Sequence, residues 1–88
     1  MHIVKRRGHK QEFDERKVYA SVYAACLSCH MDKESAETIA TVVVEKIKRW
    51  LTKKDEATSD DIFKQVSEEL MSLDKEVAFM YTTHRDVS

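Results

Sequence analysis

The stretch that decides the fold, residues 32–51, reads DKESAETIATVVVEKIKRWL. Its apolar residues recur three and four positions apart, which is the spacing that places side chains on one face of a helix. They are Ala36, Ile39, Ala40, Val43, Val44, Ile47 and Leu51. Asp32 can cap the helix because its carboxylate can accept a hydrogen bond from a backbone amide of the first turn. The pattern predicts a long amphipathic helix that buries one face in a core.

Another helix is predicted before this stretch. Asp14 is a good N-cap for it, because its carboxylate can accept a hydrogen bond from the amide of Arg16 or Lys17. An apolar stripe follows at helical spacing, and it consists of Val18, Val22, Ala25, Cys26 and Cys29. The two helices are expected to bury their stripes against each other.

Two more helices are predicted after residue 51. Thr58 and Asp61 fit a capping box in which Asp replaces the usual Glu or Gln. The helix that they start carries Ile62, Val66 and Leu70. Asp74 can cap a last helix, which carries Val77, Met80, Tyr81 and His84. The chain therefore has four predicted helices.

Residues 2–13 have the pattern of a β-hairpin. Residues 2–4 begin one strand, and Phe13 closes the second. Gly8 supplies the turn, because glycine accepts a positive φ at little cost. A charged connection over residues 53–57 leaves room for a short third strand. The predicted fold is therefore α+β and mainly α: a four-helix bundle capped by a small β-sheet, in a single domain over residues 1–88.

The composition excludes several classes of protein. The chain has 88 residues, with 15 Lys and Arg, 16 Asp and Glu and a formal net charge of −1. Direct nucleic-acid binding is not expected, since such proteins usually carry a strong basic excess. No apolar run reaches the ~18 residues of a membrane helix, and the start of the chain lacks the pattern of a secretory signal. The sequence predicts a cytoplasmic protein without membrane contact.

Residues 26–30 read CLSCH, which matches the CxxCH signature for covalent haem attachment. Such attachment also requires an export signal, and none is found. Zinc held by Cys26, Cys29, His30 and the distant His84 is a second alternative, but structural zinc sites usually have a second closely spaced ligand pair. Because both cysteines extend the apolar stripe of their helix, we expect reduced, structural thiols with neither haem nor zinc.

A phosphate-binding loop built from backbone amides is not expected, because one glycine cannot form a P-loop or a dinucleotide fingerprint. Phosphate would instead be held by side chains and a helix N-terminus. Lys5, Arg6 and Lys17 form a candidate polyphosphate clamp, since Lys17 lies in the first turn of a helix, where the dipole is positive. The same three residues also fit ordinary exposed cations, and charge alone does not decide between the two.

The order of the motifs resembles the ATP-cone domain, a module of ribonucleotide reductases and of their transcriptional regulators. The segment IVKRRG, residues 3–8, is followed by FDERKV, residues 13–18, at the family's spacing. The segment ATSDDI, residues 57–62, resembles the hydroxyl-bearing segment before the family's third helix. Arg7 departs from the usual Asp, Gln11 from a common acidic residue, and residues 83–88 match the usual last helix poorly.

The resemblance implies four helices capped by a small sheet, and the binding of ATP or dATP as an allosteric ligand, with or without Mg²⁺. It also assigns residues to the nucleotide by their position in the motifs. These are Ile3 and Val4 for the base, Lys5, Arg6 and Lys17 for the phosphates, Asp14 for the sugar or the geometry of the site, and Thr58 or Ser59 for a hydroxyl contact.

We therefore expect a regulatory ATP- or dATP-binding module that signals nucleotide state to a partner protein or an attached domain, or that forms a homo-oligomer. No enzymatic activity is expected, because no nucleophile elbow, zincin helix or kinase signature occurs. The alternative is a helical protein-interaction module with a degenerate nucleotide site. Trp50, Phe63 and Phe79 are interpreted as core or interface residues rather than as base-stacking groups.

Overall fold

A computed structural model describes residues 2–4, 10–12, 14–54 and 56–87 of the chain. Most of these residues belong to four helices, which confirms the predicted number of helices and the mainly helical character of the fold. The helices are α1 (Glu15–Ser28), α2 (Lys33–Thr52), α3 (Ser59–Leu73) and α4 (Lys75–Val87).

Each helix is preceded by a residue whose side chain accepts a hydrogen bond from a backbone amide of the first turn. The distances are 3.0 Å from Asp14 to the amide of Arg16, 3.1 Å from Asp32 to that of Ser35, 3.0 Å from Thr58 to that of Asp61, and 3.0 Å from Asp74 to that of Glu76. These caps satisfy amides that have no partner inside the helix. All four predicted caps are confirmed.

The four helices form a ring in which each packs against two neighbours. α1 contacts α2 and α4, and α3 also contacts α2 and α4. Their buried faces, together with Ala57 of the strand before α3, form one core. It consists of Val18, Val22, Ala25, Cys26, Ala36, Ala40, Val43, Val44, Ile47, Leu51, Ala57, Ile62, Val66, Leu70, Val77 and Ala78. Among the side chains that the structure describes, none of the buried ones is polar or charged. Burial of these apolar surfaces is the main term that stabilises the bundle.

Three short strands accompany the helices: β1 (His2–Val4), β2 (Lys10–Glu12) and β3 (Ala57–Thr58). They form one sheet in the order β2-β1-β3, with β1 antiparallel to β2 and parallel to β3. The predicted turn at Gly8 lies outside the described residues, as does Phe13 at the predicted end of the second strand.

The aromatic residues differ in their burial. Trp50 is half-buried and packs against the core, and the ring of Phe63 stacks on Tyr81 with 5.1 Å between the ring centroids. Phe79, in contrast, is 67% exposed, so it is not a core residue. The buried positions of α4 are Val77 and Ala78, and Phe79 follows them on another face of the helix.

No helix among the described residues is both long and apolar enough to cross a membrane.

Candidate nucleotide-binding site

The parallel pairing of β1 with β3 places the first strand beside the start of α3. Ile3 lies opposite Ala57, and Val4 lies opposite Thr58. Because α3 begins at Ser59, directly after β3, the carboxyl end of β1 lies next to a helix N-terminus. Four of the residues assigned by the family resemblance, Ile3, Val4, Thr58 and Ser59, are thus neighbours in the backbone of the sheet and the helix that follows it.

The strand β2, which pairs antiparallel with β1, precedes α1 in the chain. Glu12, the last residue of β2, lies opposite His2, and α1 begins three residues later at Glu15. The chain therefore enters α1 from the amino end of β1, whereas α3 starts at its carboxyl end. A strand of three residues spans about 10 Å, and the positive end of α3 lies next to its carboxyl end.

Asp14 acts as the N-cap of α1. Its Oδ1 accepts hydrogen bonds from the backbone amide of Arg16 at 3.0 Å and from the Arg16 Nε at 3.3 Å. The pKa of the Asp14 carboxyl is lowered from its ordinary value, chiefly by the hydrogen bond from the Arg16 backbone. Asp14 is therefore ionised at neutral pH, and it fixes the geometry of the first turn that carries Lys17.

Lys17 lies in the first turn of α1, and its side chain is exposed to solvent. Its backbone amide donates to the carbonyl of Asp14 at 3.2 Å, which closes this turn. An ammonium group at this position can reach an anion that also interacts with the positive end of the helix.

Thr58 and Asp61 form the capping box that the sequence predicts. The Asp61 amide donates to the Thr58 Oγ1 at 3.0 Å, and the Thr58 amide donates to the Asp61 Oδ2 at 3.0 Å. Two backbone amides at the start of α3 are thereby satisfied by side chains. Ser59 is exposed in the first turn, at the positive end of α3.

Lys5 and Arg6, the two cations assigned to phosphate on the N-terminal segment, lie outside the described residues. Ile3 and Val4 are described through their backbone only. The roles assigned to all eight site residues therefore stay predictions.

An ion pair at the start of α1 was not foreseen from the sequence. The Lys48 Nζ lies 3.1 Å from Glu15 Oε2 and 3.8 Å from Glu45 Oε1. The hydrogen bond with Glu15, together with both carboxylate charges, raises the pKa of Lys48 above its ordinary value. Glu15 is on α1 and Lys48 is near the end of α2, so only the packing of the two helices brings them together.

The CxxCH segment ends α1. His30 has a φ of 62°, and its amide donates to the Leu27 carbonyl at 3.0 Å, while the Met31 amide donates to the Cys26 carbonyl at 3.2 Å. This pair of bonds is the Schellman motif, in which a left-handed residue closes a helix. The segment therefore has a structural role in terminating the helix.

The two cysteines are free thiols with different burial. Cys26 is 0% exposed in the core, and burial raises the pKa of its thiol to about 11. Cys29 is half-buried against the edge of the core, and its pKa is also raised, first by burial and then by the charge of Glu76. Both positions agree with the expected apolar stripe. Among the described residues, no group of three or more His, Cys, Asp or Glu side chains could hold a metal ion.

Comparison with known proteins identifies the family. The model of the ATP cone domain matches residues 1–87, which is essentially the whole chain. No match is found among curated proteins. The order of motifs, the four helices and the match over 87 residues agree, and we conclude that the chain belongs to the ATP-cone domain family.

Proposed function

We propose that this chain is a regulatory module that binds ATP or dATP and signals nucleotide state to a partner protein. ATP-cone domains bind these nucleotides as allosteric ligands, and the family match covers residues 1–87. The register of the sheet sets Val4 opposite Thr58. This observation connects the proposal to particular residues. This register supports a site that includes both the first strand and the start of α3.

In the proposed site the sheet caps one end of the helical bundle, and the nucleotide lies along β1. Ile3 and Val4 contact the base, while Lys5, Arg6 and Lys17 hold the phosphates through charge-assisted hydrogen bonds. Asp14 keeps the first turn of α1 in place, and Thr58 or Ser59 donates a hydroxyl hydrogen bond. The positive ends of α1 and α3 add to the attraction for the triphosphate, since anions are favoured at helix N-termini.

The nucleotide is a signal in this proposal and is not transformed. No residue is assigned to catalysis, and Mg²⁺ could accompany the triphosphate as part of the ligand. Signalling requires that the partner contact the domain differently in its free and nucleotide-bound states, because a ligand shifts an equilibrium only through its differential affinity.

A protein-interaction module with a degenerate nucleotide site is the second candidate. It is favoured by the apolar side chains that remain exposed on the helices, above all Phe79 at 67% and Met71 at 54%. Exposed apolar side chains of this size are typical of protein contacts when they are contiguous. This candidate predicts partner binding without any response to ATP.

Thermal unfolding distinguishes the two candidates. A ligand at one hundred times its Kd stabilises the folded state by about 2.7 kcal/mol. For a domain of this size that corresponds to a rise in Tm of roughly 10 °C or more, at about 4–8 °C per kcal/mol. We expect this rise with ATP or dATP in the millimolar range. An unchanged Tm in a folded sample would contradict the proposal and favour the interaction module.

A further inference from the structure

The start of α1 carries a carboxylate where the proposed site needs positive charge. Glu15 is the first residue of the helix, between the cap Asp14 and the proposed phosphate ligand Lys17. A carboxylate here is favourable to the free helix because it interacts with the positive end of the dipole. It is unfavourable to a bound triphosphate, since like charges repel. The Glu15 carboxylate therefore repels any anion that binds at this turn.

Lys48 of α2 counters this charge. Its Nζ lies 3.1 Å from Glu15 Oε2, and 46% of the Lys48 side chain is exposed. The Glu15 side chain is 51% exposed. Ion pairs this exposed are weak and readily exchange partners. A lysine on its flexible four-carbon stem can turn from one anion to another close by without leaving solvent.

We propose that Lys48 is an additional phosphate-binding residue, which pairs with Glu15 in the free domain and transfers to the triphosphate when nucleotide occupies the start of α1. This inference rests on the proposed function. The phosphate oxygens offer several acceptors for charge-assisted hydrogen bonds. The transfer also moves the Lys48 ammonium group away from the Glu15 carboxylate.

The transfer has a structural consequence for the bundle. The Glu15–Lys48 pair joins α1 to α2, so nucleotide binding removes one link between these helices. By linkage, anything that strengthens the pair must weaken nucleotide binding, and nucleotide must weaken the pair to the same extent. The ion pair is thereby a connection between the nucleotide site and the packing of the bundle.

Lys46 provides a matched control on the same helix. Its Nζ lies 3.4 Å from Glu69 Oε2 of α3, and its side chain is 43% exposed. Lys46 and Lys48 thus have the same charge, similar exposure and a glutamate partner on a neighbouring helix. Only the Lys48 pair involves the first turn of α1, and Lys48 also lies 3.8 Å from Glu45 of its own helix.

The experiment is calorimetric titration of the full chain with ATP, for the parent and for the variants Lys48→Met, Glu15→Gln and the double variant, with Lys46→Met as the control. We expect Lys48→Met to raise the Kd about fivefold and Glu15→Gln to lower it about two- to fivefold, which are effects in the range of exposed ion pairs. Lys46→Met should leave the Kd unchanged. Lys48→Arg, which retains the charge, should bind more like the parent than Lys48→Met does.

The double variant is decisive for the role of Lys48. If Lys48 binds phosphate, the double variant will bind about fivefold more weakly than Glu15→Gln alone. If Lys48 only neutralises Glu15, the double variant will bind as Glu15→Gln does, and the inference is wrong. Equal effects of Lys48→Met and Lys46→Met would also overturn it, because they would reflect net charge alone.

Failure of this inference can be told apart from failure of the proposed function. A parent chain that is folded but binds no ATP overturns both. A parent that binds ATP, and that Lys17→Ala weakens while Lys48→Met does not, overturns only the role given to Lys48. Thermal unfolding followed by circular dichroism checks that each variant is folded before titration.

Discussion

The buried thiol of Cys26 makes the stability of the domain sensitive to alkaline pH. Burial raises the pKa of this thiol from about 9 to about 11. The folded state therefore holds the thiol proton more tightly than the unfolded chain does. The stability that follows is fully present below pH 9 and is lost as the pH rises through 11, because the unfolded chain then binds fewer protons. A difference of this size corresponds to at most about 3 kcal/mol.

Urea unfolding of the parent and of Cys26→Ala, with reductant present, measures this effect at pH 8 and pH 11. The other ionisable groups are common to both proteins and cancel in the comparison. We expect the parent to lose about 2 kcal/mol more than the variant between the two pH values. Equal losses would refute the assignment of Cys26 as a buried, neutral thiol. At pH 8 the double variant Cys26→Ala with Cys29→Ala should be moderately less stable than the parent. It should bind ATP with nearly the same affinity. Stoichiometric haem or metal in the purified parent would contradict a structural role for the two cysteines.

Three further predictions concern the site and the end of α1. Lys5→Ala and Lys17→Ala should each weaken ATP binding by about 1.5–3 kcal/mol, while Lys46→Ala should leave it unchanged; calorimetry that finds the reverse order would place the site elsewhere. Thr58→Ala removes the cap of α3 and should lower the free energy of unfolding by about 1 kcal/mol, measured by urea unfolding, with no loss expected if the capping box is not formed. His30→Gly should raise stability by roughly 0.5–1 kcal/mol, because glycine has no Cβ that disfavours a positive φ, and a lower Tm would contradict the left-handed turn.

The helices were predictable because their signals are local. Caps such as Asp32 and Asp74 act on amides two or three residues away, and the apolar residues of α2 repeat within a single element. Helix caps and apolar periodicity can be recognised from neighbouring residues in the sequence, because neither depends on a residue far away in the chain. The same is true of the capping box formed by Thr58 and Asp61.

Features that depend on the packing of elements were predicted less well. The sequence assigned Phe79 to a core or an interface without deciding between them; α4 buries Val77 and Ala78 and leaves Phe79 exposed, which excludes only the core. In a short helix with several apolar residues, periodicity does not say which face meets the neighbouring helices.

The candidate site shows the same division. Lys5, Arg6 and Lys17 were predicted as a phosphate clamp from their charge and position. The family resemblance added Ile3, Val4, Asp14, Thr58 and Ser59, and all of these roles stay predictions. The Glu15–Lys48 pair could not be found in this way, because its members lie 33 positions apart and meet only when α1 packs on α2. The pairing of Val4 with Thr58 likewise depends on the parallel register of two short strands, which strand propensity does not specify.

The central claim, that this ATP-cone domain binds a nucleoside triphosphate, is tested most directly by calorimetric titration of the parent chain with ATP, dATP, ADP and AMP. Binding should be saturable with ATP or dATP and should weaken as phosphates are removed, because each lost phosphate removes charge-assisted contacts to the lysines and arginine of the site. No binding of ATP or dATP at millimolar concentration by a folded sample would contradict the claim. Equal affinity for AMP and ATP would contradict the proposed phosphate clamp.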